Sequence, residues 1–242
     1  RLLTATFALI AVGLSTAAAS RVAGRKAALG CLALCTVSIF ALAQYTYTAT
    51  YALTGALLAA ALLVAVSAWP EDRRNSVATL LICLAIAVRL SVVAAALPFL
   101  LYLIWSSRRR WRGGFVVVIT TAGVLGLTLG LYWLLSGELM TYDIFGFHTD
   151  RLLRGEWQRL RMWHTWQRTV EDFLALIGVT VVAAGAGLIQ LWRRSRQQSS
   201  PEPLTDGALL LTLACMAAAL FAVHLIPRTT DSYYNSLQVP LI

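Results

Sequence analysis

The side chains best suited to binding chemistry gather in the polar segment Ser136 to Arg151, where Asp143, His148, Asp150 and Arg151 fall close together. Carboxylates suit hard cations and sugar hydroxyls, and arginine suits phosphate, so the group could hold a sugar, a pyrophosphate or a divalent cation. The plainer reading is a solvated loop in which Asp150 caps the helix that follows. That helix, Arg151 to Asp172, carries Leu153, Trp157, Leu160, Trp163 and Val170 along one side, with Arg154, Arg161 and Arg168 at its boundary. Such an amphipathic segment lies at an interface, where its arginines either anchor it to anionic headgroups or hold a phosphate-bearing substrate.

Other candidates stand apart from this cluster. Arg89 interrupts the apolar stretch Val77 to Ile104, and a central arginine in hydrocarbon costs about 2.5 to 3.5 kcal/mol, so it marks either a functional site or a water-facing turn. Tyr45, Tyr47 and Tyr51, and later Asp231, Tyr233 and Tyr234, could stack on sugars or serve as interfacial aromatics. His148, His164 and His224 lack ligand spacing, so no histidine metal site is expected. Cys31, Cys35, Cys83 and Cys215 lie in apolar runs without zinc-ligand partners and are expected to be small buried core residues. No nucleophile elbow, phosphate loop or metalloprotease motif occurs.

The elements that must carry these residues are apolar helices. Hydrophobic residues make up 59% of the chain, charged residues 13%, and the mean hydropathy is +0.71, against about 25% charged residues in an ordinary soluble domain. Such a chain cannot hide its apolar surface in a soluble core and is expected to be an all-α, polytopic transmembrane bundle forming a single domain over residues 1–242. Spans are predicted at about 2–19, 27–43, 52–68, 114–135, 173–192 and 207–226. Residues 77–104 exceed one untilted span and contain Pro98, so two short helices are predicted there as a hairpin around Arg89.

Loop charge orients the spans. Arg21, Arg25 and Lys26 mark one connection as cytoplasmic, as do Arg73 and Arg74 and then Arg108, Arg109, Arg110 and Arg112, whereas Gln44 to Thr50 has no basic residue and belongs outside. The same rule puts 136–172 and 227–236 outside and 193–206 inside, although the long outer loop holds five arginines. The net charge of +9 thus reflects orientation, and nucleic acid is not an expected partner. Trp69, Trp105, Trp111, Trp133 and Trp192 fall at span ends as an aromatic belt, and Gly126 with Gly130, like Gly178, Gly185 and Gly187, suggests close helix approach. Because Arg1 opens directly on an apolar run and Val239 to Ile242 resembles the start of another helix, the chain reads as an internal fragment.

From Arg1 to about Arg112 the chain resembles the integral-membrane glycosyltransferases of the GT-C type, related to family 39 protein mannosyltransferases and lipid A aminoarabinose transferases. The resemblance lies in Arg1-Leu2-Leu3-Thr4-Ala5 opening a span and in the basic loop Arg21-Val22-Ala23-Gly24-Arg25-Lys26. It continues in the outer turn Gln44-Tyr45-Thr46-Tyr47-Thr48-Ala49-Thr50-Tyr51, in Leu84-Ala85-Ile86-Ala87-Val88-Arg89-Leu90-Ser91 followed by Leu97-Pro98-Phe99, and in the paired tyrosines of Asp231-Ser232-Tyr233-Tyr234-Asn235. It implies an enzyme of a bacterial or archaeal inner membrane that moves a sugar from a polyprenyl-phosphate donor to an acceptor on the extracytoplasmic side. The substrate-binding set would then draw on Arg89, Asp143, His148, Asp150, Arg151, Arg154, Arg161, Tyr47, Tyr233 and Tyr234. The family's acidic residues lie upstream of the position of Arg1, so the catalytic base is not among these, and a divalent cation is a possible but unassigned cofactor. Two other classes stay open: a transporter or flippase, disfavoured by the lack of symmetric halves, and a noncatalytic scaffold subunit.

Overall fold

The computed structural model describes residues 2–37, 49–107, 110–141, 174, 177–190, 192–193 and 205–222. Among them the regular structure is helical, without strands, in keeping with runs dominated by alanine and leucine, the strongest helix formers. The segments 142–173 and 223–242, with the predicted interfacial helix and the last outer turn, lie outside the described residues.

Helix α1 (Leu2–Val37) folds back on itself at Gly24, whose φ of 78° and ψ of −170° are non-helical, a conformation open to a residue without Cβ. Ala11 of one arm and Cys35 of the other lie about equally far from Gly24 and share one buried cluster with Ala52 and Ala56 of α2 (Ala49–Ala65). The two arms are therefore antiparallel, with Arg21, Arg25 and Lys26 exposed around the turn.

Helix α3 (Glu71–Val88) starts after Pro70 with Glu71 and Asp72 in its first turn, where acidic groups complement the helix dipole. It stops at Arg89, whose backbone is extended (φ −149°, ψ 109°), and a 3-10 turn at Leu90–Val92 leads into α4 (Val93–Trp105). Asn75 Nδ2 donates to Ser107 Oγ at 2.7 Å, joining the start of α3 to the end of α4. Residues 75–107 thus form a closed hairpin with Arg89 at its tip. Helix α5 (Arg110–Ser136) begins against that base: Arg112 pairs with Asp72 at 2.9 Å, and Gly113 lies against Ser107. A short α6 (Glu138–Thr141) follows Gly137.

Helix α7 (Ile177–Gln190) meets α8 (Thr205–Ala222) where a Cβ on Gly187 would lie 2.9 Å from the Gly207 carbonyl. Small residues make this bundle close. Ala61, Ala78, Ala85, Ala95, Ala208 and Ala217 share the main core with Phe99, Ile82, Leu103 and Met216, so backbones approach and large side chains fill what remains.

Two expectations are corrected. Gly126 and Gly130 have nothing within 4 Å of a would-be Cβ, although Val124 and Leu125 of the same stretch pack against the main core, so neither glycine makes a close approach among the described residues. Cysteine burial also differs by position: Cys35 and Cys83 are buried, Cys31 is half-buried and Cys215 is exposed, because apolar side chains here face outward as readily as inward.

By length and composition, Trp111–Ser136 and the α1 stretch within Leu2–Cys35, which folds back at Gly24, could cross a membrane, while the segments Thr50–Ala65, Val93–Trp105, Ile177–Gln190 and Gly207–Ala222 are shorter apolar helices.

Candidate functional site

The bundle has two chemically different ends. Val22 and Ala23 beside the Gly24 turn border the same cavity as Leu62 and Val66 near the end of α2, so the basic turn of α1 lies where α2 finishes. Helix α3 begins a few residues later with Arg73 and Arg74, and the Asn75–Ser107 hydrogen bond and Asp72–Arg112 pair bring the end of α4 and the start of α5 to the same place. Trp69, whose ring lies 4.7 Å beneath the Arg73 guanidinium, Trp105 and Trp111 sit at this basic end.

Arg89 is at the opposite end. Its Cζ lies 3.6 Å from the centroid of the Tyr51 ring, at the start of α2. Tyr51 is 4% exposed, so the ring is a buried platform, and Arg89 itself is half-buried. A guanidinium stacked on a shielded ring gains about 2 kcal/mol. The contact also shows why arginine is tolerated here: the hairpin carries its charge to the helix ends and does not leave it at mid-helix.

The local backbone holds this geometry. The Arg89 N–H donates to the Ala85 carbonyl at 2.9 Å, and the Val92 N–H donates to the Arg89 carbonyl at 3.1 Å. Stacking uses the guanidinium faces, while its N–H groups radiate in the plane, the geometry that recognises carboxylate or phosphate oxygens. Arg89 and Tyr51 together form a positively charged, sterically fixed feature at the end where α2 begins.

Of the predicted site residues, Arg89 is described; Tyr47, Asp143, His148, Asp150, Arg151, Arg154, Arg161, Tyr233 and Tyr234 lie outside the described residues. Among the described residues no three His, Cys, Asp or Glu side chains are grouped to hold a metal ion. Sequence reasoning named Tyr51 as one of three aromatics but gave it no tie to Arg89, and it passed over Asn75 and Ser107. The visible signal for Asn75 was a polar amide at the threshold of an apolar run, which needs a partner once buried.

No family model matches this chain, nor does any curated protein or solved structure. The glycosyltransferase resemblance therefore rests on its sequence motifs alone.

Proposed function

We propose that this chain is a multi-pass membrane protein whose Arg89–Tyr51 end handles a phosphate-bearing lipid substrate, as a glycosyltransferase does with a polyprenyl-phosphate sugar. The membrane half of the reading is supported by α5. Its residues from Trp111 onward are apolar over a spanning length, yet only Gly113 and Val117 among them are buried. Phe115, Ile119, Leu127, Leu131 and Leu134 are each more than half exposed. A soluble core helix is covered by its neighbours; this one needs an apolar solvent. Trp111 at one end and Trp133 near the other suit the two interfaces.

The substrate half is carried by one observation: Arg89 is held on a buried ring at the end opposite Arg21, Arg25, Lys26, Arg73, Arg74 and Arg112. Basic loops favour the cytoplasmic side; on that rule Arg89 would face the extracytoplasmic side, where a preorganised cation would stabilise a phosphate leaving group. Sugar transfer breaks the bond between the anomeric carbon and the phosphate oxygen and forms one to an acceptor oxygen. The polyprenyl phosphate leaves with the bonding electrons, and the acceptor proton passes to a base. Arg89 would serve the leaving group.

The test is sugar transfer by the full-length protein in vesicles, with a radiolabelled sugar on polyprenyl phosphate. Losing a hydrogen bond to a charged phosphate, about 1.5 to 3 kcal/mol, lowers kcat/KM for Arg89→Gln by roughly 10- to 150-fold. Transfer unchanged in Arg89→Gln would remove Arg89 from the site, and transbilayer movement of the lipid without transfer would favour a flippase.

A further inference from the structure

A cavity of about 380 Å³ lies at the basic end, bounded by both arms of α1, the end of α2, and α7 and α8. Its walls are small and apolar, with Ala18, Ala27, Ala183 and Ala214 among them, and its lining hydroxyls are those of Ser15 and Thr180. An apolar space of this size does not hold ordered water and favours an apolar guest. It is also open: Ala23, Gly30 and Leu34 line it and remain exposed, and nearby Leu29 and Leu32 show apolar surface outward.

We infer that this cavity holds one acyl chain of an anionic phospholipid from the cytoplasmic leaflet, with the headgroup on Arg21, Arg25 and Lys26. The inference rests on the membrane reading above but not on glycosyl transfer. Continuity carries it: Val22 and Ala27 line the cavity, and Arg21 and Lys26 are their chain neighbours, so basic turn and apolar pocket share one rim. Arg21, Arg25 and Lys26 are exposed, and α1 contains no acidic residue to neutralise them. An opening that is apolar within and cationic at its edge matches a lipid carrying a negative headgroup. A zwitterionic lipid would fit the pocket without the charge match.

Gly30 makes the inference testable without damage to the fold. It lines the cavity, and a Cβ there meets nothing within 4 Å, so Gly30→Leu fills space and strengthens the helix. The experiment is native mass spectrometry of the full-length protein in nonionic detergent, titrated with phosphatidylglycerol or with phosphatidylcholine bearing the same chains. The wild type is expected to retain one phosphatidylglycerol, preferred about fivefold for each basic side chain that meets the headgroup. Gly30→Leu should lose the retained lipid with an undiminished Tm. Arg21→Gln/Arg25→Gln/Lys26→Gln should bind both lipids alike.

Retention by Gly30→Leu equal to wild type, or an equal preference for both lipids in the wild type, would overturn the inference. So would a phosphatidylglycerol preference that survives the triple replacement. A protein that stays dispersed in buffer without detergent would instead overturn the membrane reading, so the two failures are distinguishable.

Discussion

Replacing Gly113 by Ala tests whether the base of the α3–α4 hairpin is built as described. A Cβ at this position would lie 2.5 Å from Ser107 Cβ, against the roughly 3.5–4.0 Å at which carbon atoms pack. Ser107 has little room to yield, because its Oγ accepts from Asn75 Nδ2 at 2.7 Å and donates to the Leu103 carbonyl at 2.8 Å. Asn75 is fully buried. The methyl therefore overpacks the joint, at about 1 to 3 kcal/mol, and in displacing Ser107 it strands a buried amide, at about 1 to 3 kcal/mol more. Better helix propensity returns about 1 kcal/mol, leaving a net loss of about 1 to 5 kcal/mol. In a chain of this length that lowers Tm by at least about 2 to 4 °C.

Gly126→Ala in the same helix is the control. Nothing lies within 4 Å of its would-be Cβ, so the same chemical change should leave Tm unchanged or raise it slightly. Thermal unfolding in detergent, followed by tryptophan fluorescence, reads both variants. Ser107→Gly should cost less in the Gly113→Ala background than in the wild type, because the strained contact is already removed. If Gly113→Ala melted with Gly126→Ala, the close approach at the hairpin base would be refuted.

Three further outcomes follow from the geometry. With the native cysteines replaced by alanine, Arg25→Cys and Leu90→Cys should react with an impermeant maleimide from opposite sides of a sealed vesicle, and labelling from one side only would mean that the hairpin does not cross. Tyr51→Phe keeps the ring under Arg89 and should melt above Tyr51→Leu, which removes a platform worth about 2 kcal/mol; equal values would mean that the stacking contributes nothing. Asp72→Ala should change stability by less than about 1 kcal/mol, because the Asp72 and Arg112 side chains are 52% and 63% exposed; a larger, salt-insensitive loss would show that the pair is shielded in the assembled protein.

Much of the architecture was legible in the chain because the relevant terms are local. An apolar run of a given length reads as a helix, and an arginine within such a run must find a turn or a partner. A glycine between basic residues permits a fold-back, and Gly24 makes one. The helical class needed no more than this. Packing was less legible. Gly126-x-x-x-Gly130 has the spacing of a docking motif but meets nothing among the described residues, while Gly187 makes the close approach its span suggested and Gly113, which no pattern singled out, makes another. Spacing sets which residues share a face; it does not say what that face meets.

The sequence by itself therefore determined an all-helical chain, with exposed arginines and lysine at the turn of α1 and Arg89 as its anomalous charge, because hydropathy, helix propensity and loop charge act between near neighbours. Tertiary structure alone decided that Arg89 rests on Tyr51, that Asn75 reaches Ser107, and that five helical segments border an open apolar cavity beside the basic turn. Each depends on the rotation and register of one helix against another. Those are set by close packing among many small side chains at once, and no single stretch of sequence contains that sum.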